Sequence, residues 1–247
     1  MRDGRTPACA SGARQWSVVV LAVVWGAFVL AFPEPARAQN DTSDEFWPEI
    51  DAFVRMNERS RLMFLASQQR DHDTGYRQSA VGAHIDYYAK PFARKWLETN
   101  PDAVKQHYLT FRAGYRYYWD IGDGGGGAHE NRILVEGTAR FSMHRFFFLN
   151  RNRVEWRDQN GTDSWRYRNR SRLEDDISLG SHTTTPYAMA EFFYDGKYDD
   201  LDEERYYGGV DWPIGSKAIV DTYYCRQNNT HSHQDVNAFG LTVRVYF

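Results

Sequence analysis

Strict alternation of apolar and polar side chains runs along much of this chain and is clearest between residues 107 and 142. Within 107–120 every second position is apolar: Leu109, Phe111, Ala113, Tyr115, Tyr117 and Trp119. The positions between them include Arg112 and Arg116. Because successive side chains of a strand point to opposite faces, this stretch predicts a strand with one apolar and one charged face. The stretch 131–142 repeats the pattern.

The chain contains eleven such stretches, separated by turn signals such as Asn160-Gly161 and the glycine run 124–127. They cover residues 46–57, 60–70, 77–89, 107–120, 131–142, 146–158, 164–175, 186–195, 204–212, 216–227 and 235–247. The long insertion 90–106 is either a short interfacial helix or an ordinary loop. The pattern therefore predicts an all-β protein.

The last predicted strand has an apolar face that continues to the final residue of the chain. Its alternate positions are Phe239, Leu241, Val243, Val245 and Phe247. This ending resembles that of bacterial outer-membrane β-barrels, whose assembly machinery recognises it. The resemblance implies a transmembrane antiparallel β-barrel in the outer membrane of a Gram-negative bacterium. Its expected partners are outer-membrane lipid, lipopolysaccharide and the barrel assembly machinery.

The number of strands is constrained by this architecture. Single-chain bacterial barrels have an even number of strands. Eleven candidates do not satisfy that rule, so we expect one further strand, near 39–46 or within 90–106, and twelve in all. Ten is the alternative, if two of the candidates form one strand.

The amino-terminal 38 residues have the features of a secretory signal peptide. Three arginines precede an apolar run over 18–32, and Ala36-Arg37-Ala38 supplies a small-residue cleavage pattern. The run is shorter than the roughly 18 residues of a spanning helix. We therefore divide the chain into a signal peptide, 1–38, and an outer-membrane β-barrel, 39–247.

The composition after residue 38 fits a barrel and narrows the partners. All 16 tyrosines fall in this part, and aromatic residues form girdles at both interfaces of membrane barrels. The whole chain has a net charge of −3, and the predicted signal peptide carries a net charge of +2. The remaining chain therefore has a net charge of about −5, which argues against nucleic acid as a partner. Cys225 is the one cysteine left, which excludes an internal disulfide and a thiolate metal cluster.

The sixth and seventh predicted strands carry many arginines at a spacing of two. They are Arg151, Arg153 and Arg157 on the sixth strand and Arg166, Arg168, Arg170 and Arg172 on the seventh. An arginine at mid-depth on a lipid-facing wall costs about 2–4 kcal/mol, so all seven are predicted to face the lumen. A turn at Asn160-Gly161 that pairs 157 with 164 sets Arg153 opposite Arg168 and Arg151 opposite Arg170.

Like charges directly opposed destabilise a sheet, so anionic groups must lie near these arginines. The expected lumen carboxylates are Glu136, Glu155 and Glu174, with Glu191, Asp211 and Asp221 as further candidates. A tight turn near 142–145 would set Glu136 against Arg151 and Glu155 against Arg132. The arginines then form a salt-bridge lattice that fills the barrel, or an electropositive stripe that guides anionic solutes.

The same register places a polar cluster on the outer wall. It pairs Asn152 with Asn169 and Asn150 with Ser171. Four clustered polar side chains are unusual against lipid. A protein contact, such as a homo-oligomer seam or a docked plug, is one explanation, and a wrong register is the other.

Catalytic and metal-binding patterns are weak in this sequence. His84 and Asp86 share a strand face and could orient a general base, but an ordinary lumen histidine explains them as well. Gly180-Ser181-His182 lacks the rest of the motif of outer-membrane phospholipases, and His231-x-His233 lacks a third metal ligand. We therefore assign no catalytic residue, no metal site and no cofactor.

Three features resemble one family of proteobacterial outer-membrane proteins, known only as domain-of-unknown-function family 2490. They are Phe46-Trp47-Pro48-Glu49-Ile50-Asp51, the stretch 62–71, and the arginine pattern of the sixth and seventh strands. The family implies no activity and no functional residues. By architecture alone, small barrels with basic lumen tracks are similar to channels for acidic oligosaccharides. We expect a narrow, porin-like channel for small or acidic solutes, with a filled structural barrel and a lipid-modifying enzyme as alternatives.

Overall fold

The computed structural model describes residues 42–72, 74–89, 108–121, 127–143, 145–179, 182–231 and 234–247. In this part of the chain, no helix is long and apolar enough to cross a membrane. The strands are β1 Thr42–Arg55, β2 Ser60–Asp71, β3 Arg77–Ala89, β4 Leu109–Ile121, β5 His129–Met143, β6 Phe146–Gln159, β7 Thr162–Asp175, β8 Ile177–Leu179, β9 His182–Asp195, β10 Asp200–Ile214, β11 Ala218–Asn229 and β12 Asp235–Tyr246. The predicted signal peptide, 1–38, and the insertion 90–106 lie outside the described residues.

Each of the eleven predicted strands is present, with ends that shift by a few residues. The strand expected over 146–158 spans Phe146–Gln159, and the one expected over 186–195 begins earlier, at His182. The Asn160-Gly161 turn is confirmed as well. Its two residues have φ angles of 52° and 84°, as a two-residue type I′ hairpin requires.

The strands form one closed sheet. From β1 to β7 each strand pairs antiparallel with the next, β9 pairs with both β7 and β10, and hairpins continue to β12. β12 then pairs in parallel with β1. β8 is not a separate strand of the ring, because β7 and β8 pair one after the other with the same edge of β9. Glu174 faces Tyr187 and Ile177 faces Thr184, in one unbroken register.

Over the described residues the ring contains eleven strands, so the expected twelve, or ten, is wrong for the barrel wall. The even number applies to barrels whose neighbouring strands are antiparallel all the way round. An odd number of alternating strands instead brings the first and last together pointing the same way. The parallel seam between β1 and β12 is the result. The twelfth segment, β8, lies in neither region where we expected a further strand.

Alternation sorts the side chains into an apolar outer wall and a polar lumen. On the outer wall Ile133 of β5 is 61% exposed and Trp156 of β6 is 59% exposed. The alternate apolar positions of β12, from Phe239 to Phe247, lie on this outer side as the pattern predicted. Phe247 also extends the seam, since its backbone exchanges hydrogen bonds with Phe53 and Arg55.

Glycines on the lumen side make room for rings that lie flat against the wall. A Cβ atom on Gly114 would lie 1.9 Å from Cδ2 of His84, and one on Gly240 would lie 1.9 Å from Cζ of Tyr223. Contacts this short do not occur, so a side chain at either position would force the covering ring to move. The strands themselves therefore shape the space inside the barrel.

Candidate functional site: the arginine-lined lumen

The seven predicted arginines, here called the arginine face, occupy the lumen side of β6 and β7. The predicted register of this hairpin is confirmed: Arg157 pairs with Ser164, Arg153 with Arg168, and Arg151 with Arg170. Cross-strand partners lie only about 5 Å apart at Cβ. Two pairs of like charges therefore face each other directly, and nearby carboxylates must offset their repulsion.

Glu191 of β9 is the centre of that compensation. Its carboxylate lies 2.6 Å from a guanidinium nitrogen of Arg151, 3.0 Å from one of Arg168 and 2.7 Å from one of Arg170. The Glu191 side chain is fully buried (0% exposed). One carboxylate thus joins three arginines from both strands. Removing a partner from such a buried network is expected to cost about 3–5 kcal/mol.

Glu155 and Glu136 connect the arginine face to β5. Glu155 lies 3.0 Å from Arg168, 3.2 Å from Arg153 and 3.3 Å from Arg132. Glu136 lies 2.6 Å from Arg153 and 3.6 Å from Arg151. Both carboxylates lie within ion-pair distance of more than one guanidinium, so they tie neighbouring strands together.

The register expected between β5 and β6 is wrong by two residues. Glu136 faces Arg153 and not Arg151, and Arg132 faces Arg157 and not Glu155. The turn lies one residue further along the chain than expected, since Met143 pairs with Phe146. Arginine is long enough to reach a diagonal neighbour, and the expected contacts of Glu136 with Arg151 and of Glu155 with Arg132 form in that way.

The remaining members of the arginine face have carboxylate partners toward the two rims. Arg172 lies 2.8 Å from Glu174 and 2.6 Å from Asp211. At the other rim Arg157 lies 2.7 Å from Asp195, and Arg166 lies 2.9 Å from the same carboxylate. All seven arginines are therefore paired with carboxylates, as expected for a salt-bridge lattice.

Sequence reasoning missed three carboxylates that pair with the arginine face. Glu130 lies 2.8 Å from Arg157, Asp195 occupies the end of β9, and Asp202 of β10 lies 3.2 Å from Arg166. Asp86, which the sequence placed beside His84, binds Arg61 at 2.8 Å and Arg112 at 2.6 Å. Glu130 precedes Arg132 by two residues and so shares its face, a signal that could have found it. The position of Asp195 follows only from the pairing of β7 with β9.

The suggested His84–Asp86 pair does not form a catalytic dyad. Asp86 is committed to two arginines, while Nε2 of His84 accepts a hydrogen bond from Nε of Arg116 at 3.2 Å. His231 stacks on Tyr198 with ring centroids 4.2 Å apart. Ser181 and His233 lie outside the described residues, and nothing in the described part of the chain gathers three metal-binding side chains.

A cavity of about 560 Å³ occupies the lumen between these side chains. All eleven strands of the ring contribute to it, from Gln159 and Gln227 near one rim to Arg140 and Tyr246 near the other. Its lining includes 14 arginines and eight carboxylates. Arg170 remains 27% exposed beside the fully buried Glu191, so this guanidinium lines the cavity in front of its counter-ion. The cavity wall is therefore richer in positive than in negative groups.

Comparison with known proteins identifies a family. A family model described as "Protein of unknown function (DUF2490)" matches residues 44–238. No curated protein sequence matches the chain. Among solved structures, the β-domain of the Bordetella autotransporter Brka is similar over 69% of this chain and 75% of that chain, with 15% sequence identity and a TM-score of 0.43. The chain belongs to the DUF2490 family, as the sequence predicted.

Proposed function

We propose that this protein is an outer-membrane β-barrel whose lumen is a narrow passage for small solutes, with a preference for acidic ones. The outer wall supports the membrane location, because side chains such as Ile133 and Trp156 are exposed in a continuous sheet. Such a wall would be unfavourable in water and suits hydrocarbon flanked by interfacial aromatic residues.

The arginine-lined cavity is the observation that carries the proposed passage. It is lined from near one rim to near the other, and guanidinium groups outnumber carboxylates along it. Charged pore walls select ions of the opposite sign and raise their local concentration. A small anion therefore meets a favourable potential along the lumen, while a cation of the same size does not.

A filled structural barrel is the second candidate, and a specific observation favours it. Leu134 and Phe193 point into the lumen and are each 1% exposed, in the same region as the fully buried Glu155. These side chains leave little room around the cavity. The lipid-modifying enzyme expected as a third alternative has weaker support, since Asp86 does not orient His84.

The test is single-channel recording in a planar bilayer under a tenfold KCl gradient. We expect a small, steady, anion-selective current in the wild type. Arg170→Gln should reduce the anion selectivity, because it removes the most exposed guanidinium of the arginine face. Glu191 remains paired with Arg151 and Arg168 in this variant. Arg59→Gln, in the exposed β1–β2 turn, removes the same charge outside the lumen and is the matched control.

Either of two results would contradict the passage. An absence of current in wild-type barrels of demonstrated native fold would establish the filled barrel. A cation-selective current would show that the buried carboxylates, and not the arginines, set the potential of the lumen.

A further inference from the structure

Four lumen positions lie in one row across β1, β2, β3 and β4. Asp51 pairs with Leu65, Leu65 with Gly82, and Gly82 with Arg116. Side chains in such a row point to the same side of the sheet. An acidic and a basic residue therefore stand at the two ends of one row, with an apolar residue and a glycine between them.

Asp51 is a buried carboxylate without a partner among the described residues. It is 5% exposed, and its Oδ1 accepts no hydrogen bond. Arg244 faces it across the parallel seam, but the Arg244 guanidinium binds Asp211 at 3.1 Å and Asp221 at 2.5 Å. Within the described residues, Asp51 forms no ion pair. A buried charge in this state is costly unless another group satisfies it.

Arg116 is the complementary case. Within the described residues it has no carboxylate partner, and it donates to two neutral groups, Nε2 of His84 at 3.2 Å and the hydroxyl of Tyr118 at 3.5 Å. The imidazole nitrogen can accept this bond only when it carries no proton, so it does not balance the guanidinium charge. Asp51 and Arg116 both line the lumen cavity.

Gly82 lets Arg116 lean along the row toward β2. A Cβ atom on Gly82 would lie 2.9 Å from Cγ of Arg116 and 3.2 Å from Cδ2 of Leu65. The Arg116 stem thus occupies the place of the missing side chain. Even so, no atom of its guanidinium comes within ion-pair distance of Asp51, so the two charged side chains stay apart on the wall of the lumen cavity.

We propose that Asp51 and Arg116 form the two poles of a binding site for a small zwitterion. The ligand's ammonium group would bind Asp51, and its carboxylate would bind Arg116. Glu49, two residues earlier on the same face of β1 and also in the cavity wall, is a second acceptor for the ammonium group. A purely anionic solute would leave Asp51 unpaired, and a purely cationic one would leave Arg116 unpaired.

This site names a solute class for the lumen and so rests on the proposed passage for its biological use, but binding itself does not require conduction. The test uses the purified wild-type barrel in detergent and three probes of similar size: glycine, glycolate and ethanolamine. Binding is measured by isothermal titration calorimetry. We expect glycine to bind at least tenfold more tightly than glycolate, which lacks the ammonium group, and ethanolamine, which lacks the carboxylate.

Two variants assign the poles. Asp51→Asn should lower the affinity for glycine to that for glycolate, and Arg116→Gln should lower it to that for ethanolamine. Glu58→Gln and Arg59→Gln make the same charge changes in the exposed β1–β2 turn and should leave the preference intact. The comparison of the three probes needs only the wild-type chain, so it decides the proposal even where a variant fails to fold.

Equal binding of the three probes would overturn the site. It would also be overturned if both variants lost thermal stability with no change in glycine binding, since Asp51 and Arg116 would then pair with each other directly. Glycine binding without any channel current would refute the proposed passage and support the binding site. Anion-selective current without a preference for glycine would support the passage and refute the binding site.

Discussion

At the scale of single residues, the lumen is shaped as much by missing side chains as by charged ones. The ring of His84 covers Gly114, and the ring of Tyr223 covers Gly240. The sequence places glycines on the lumen face of β4 and β12 but does not say which ring covers each. The cross-strand neighbours decide that, and they follow from the register.

Gly114→Ala tests this packing. We expect the variant to be less stable by about 1–3 kcal/mol, the usual cost of overpacking, because its Cβ would collide with the His84 ring. The measurement is urea unfolding in lipid vesicles, followed by tryptophan fluorescence. A second change, His84→Ala, should recover much of the loss.

Gly137→Ala is the matched control for that experiment. Gly137 lies on the outer face of β5, and a Cβ there would approach only the Phe111 ring, at 3.9 Å. This is an ordinary contact distance, so the control should leave stability nearly unchanged. An equal loss of stability in the two glycine variants would show that the His84 ring does not lie against Gly114.

At the scale of elements, the hairpin of β6 and β7 carries both the arginine face and the polar cluster on the outer wall. Nδ2 of Asn150 donates to Ser171 at 3.1 Å, Nδ2 of Asn169 donates to Asn152 at 2.8 Å, and the hydroxyl of Tyr167 donates to Asn152 at 2.6 Å. The register is the predicted one, so the alternative of a wrong register is excluded. The cluster therefore faces outward and satisfies part of its own hydrogen-bonding capacity.

We propose that this polar cluster contacts a second copy of the chain. Amide groups donate and accept equally, so an identical surface complements them, whereas lipid tails offer no partner. Gly137 and Ala190 lie beside the cluster on β5 and β9, pairing with Asn152 and Ser171, and their small size allows close approach. We expect cysteine at Asn152 to form covalent dimers with a short bifunctional crosslinker in intact outer membranes.

The crosslinking experiment has a matched position on another part of the wall. Ile50 of β1 is also exposed on the outer face, and cysteine there should give few dimers. Cys225 is buried and does not interfere. If Asn152→Cys is no more reactive than Ile50→Cys, the cluster is not a seam between copies of this chain.

At the scale of the whole molecule, the odd strand number decides where the first strand begins relative to where the last strand ends. Because β1 and β12 are parallel, Thr42 lies at the same rim as Asp235, and Phe247 lies at the opposite rim beside the end of β1. In a barrel with an even number of strands, both ends would share a rim. The Asn160-Gly161 turn lies at the rim of Thr42.

Cysteine labelling in intact cells tests this arrangement. Under the proposed outer-membrane location, with Phe247 on the periplasmic side, cysteines at Thr42 and Thr162 should both react with an impermeant maleimide. A cysteine at Asn57, in the turn at the other rim, should react only after the outer membrane is permeabilised. Labelling at Thr162 without labelling at Thr42 would contradict the eleven-stranded ring.

The strands and their faces could be predicted because alternation is a local property of the sequence. The fourth strand shows this well: 107–120 was expected, and Leu109–Ile121 is observed. The β6–β7 register could be predicted too, since a two-residue Asn-Gly turn leaves one way to pair its flanking strands. The β5–β6 register could not, because residues 142–145 offer no comparable signal and a shift of two keeps every side chain on its own face.

The sequence by itself determined an all-β chain with an apolar outer face, a lumen containing the arginine face, and membership of the DUF2490 family. Only the tertiary structure decided the strand number, because ring closure through a parallel seam depends on contacts between residues nearly 200 positions apart. It also decided which carboxylates balance which arginines, and that Asp51 and Arg116 are left unmatched in one row. Those outcomes depend on non-local pairing, and alternation along one strand carries no information about it.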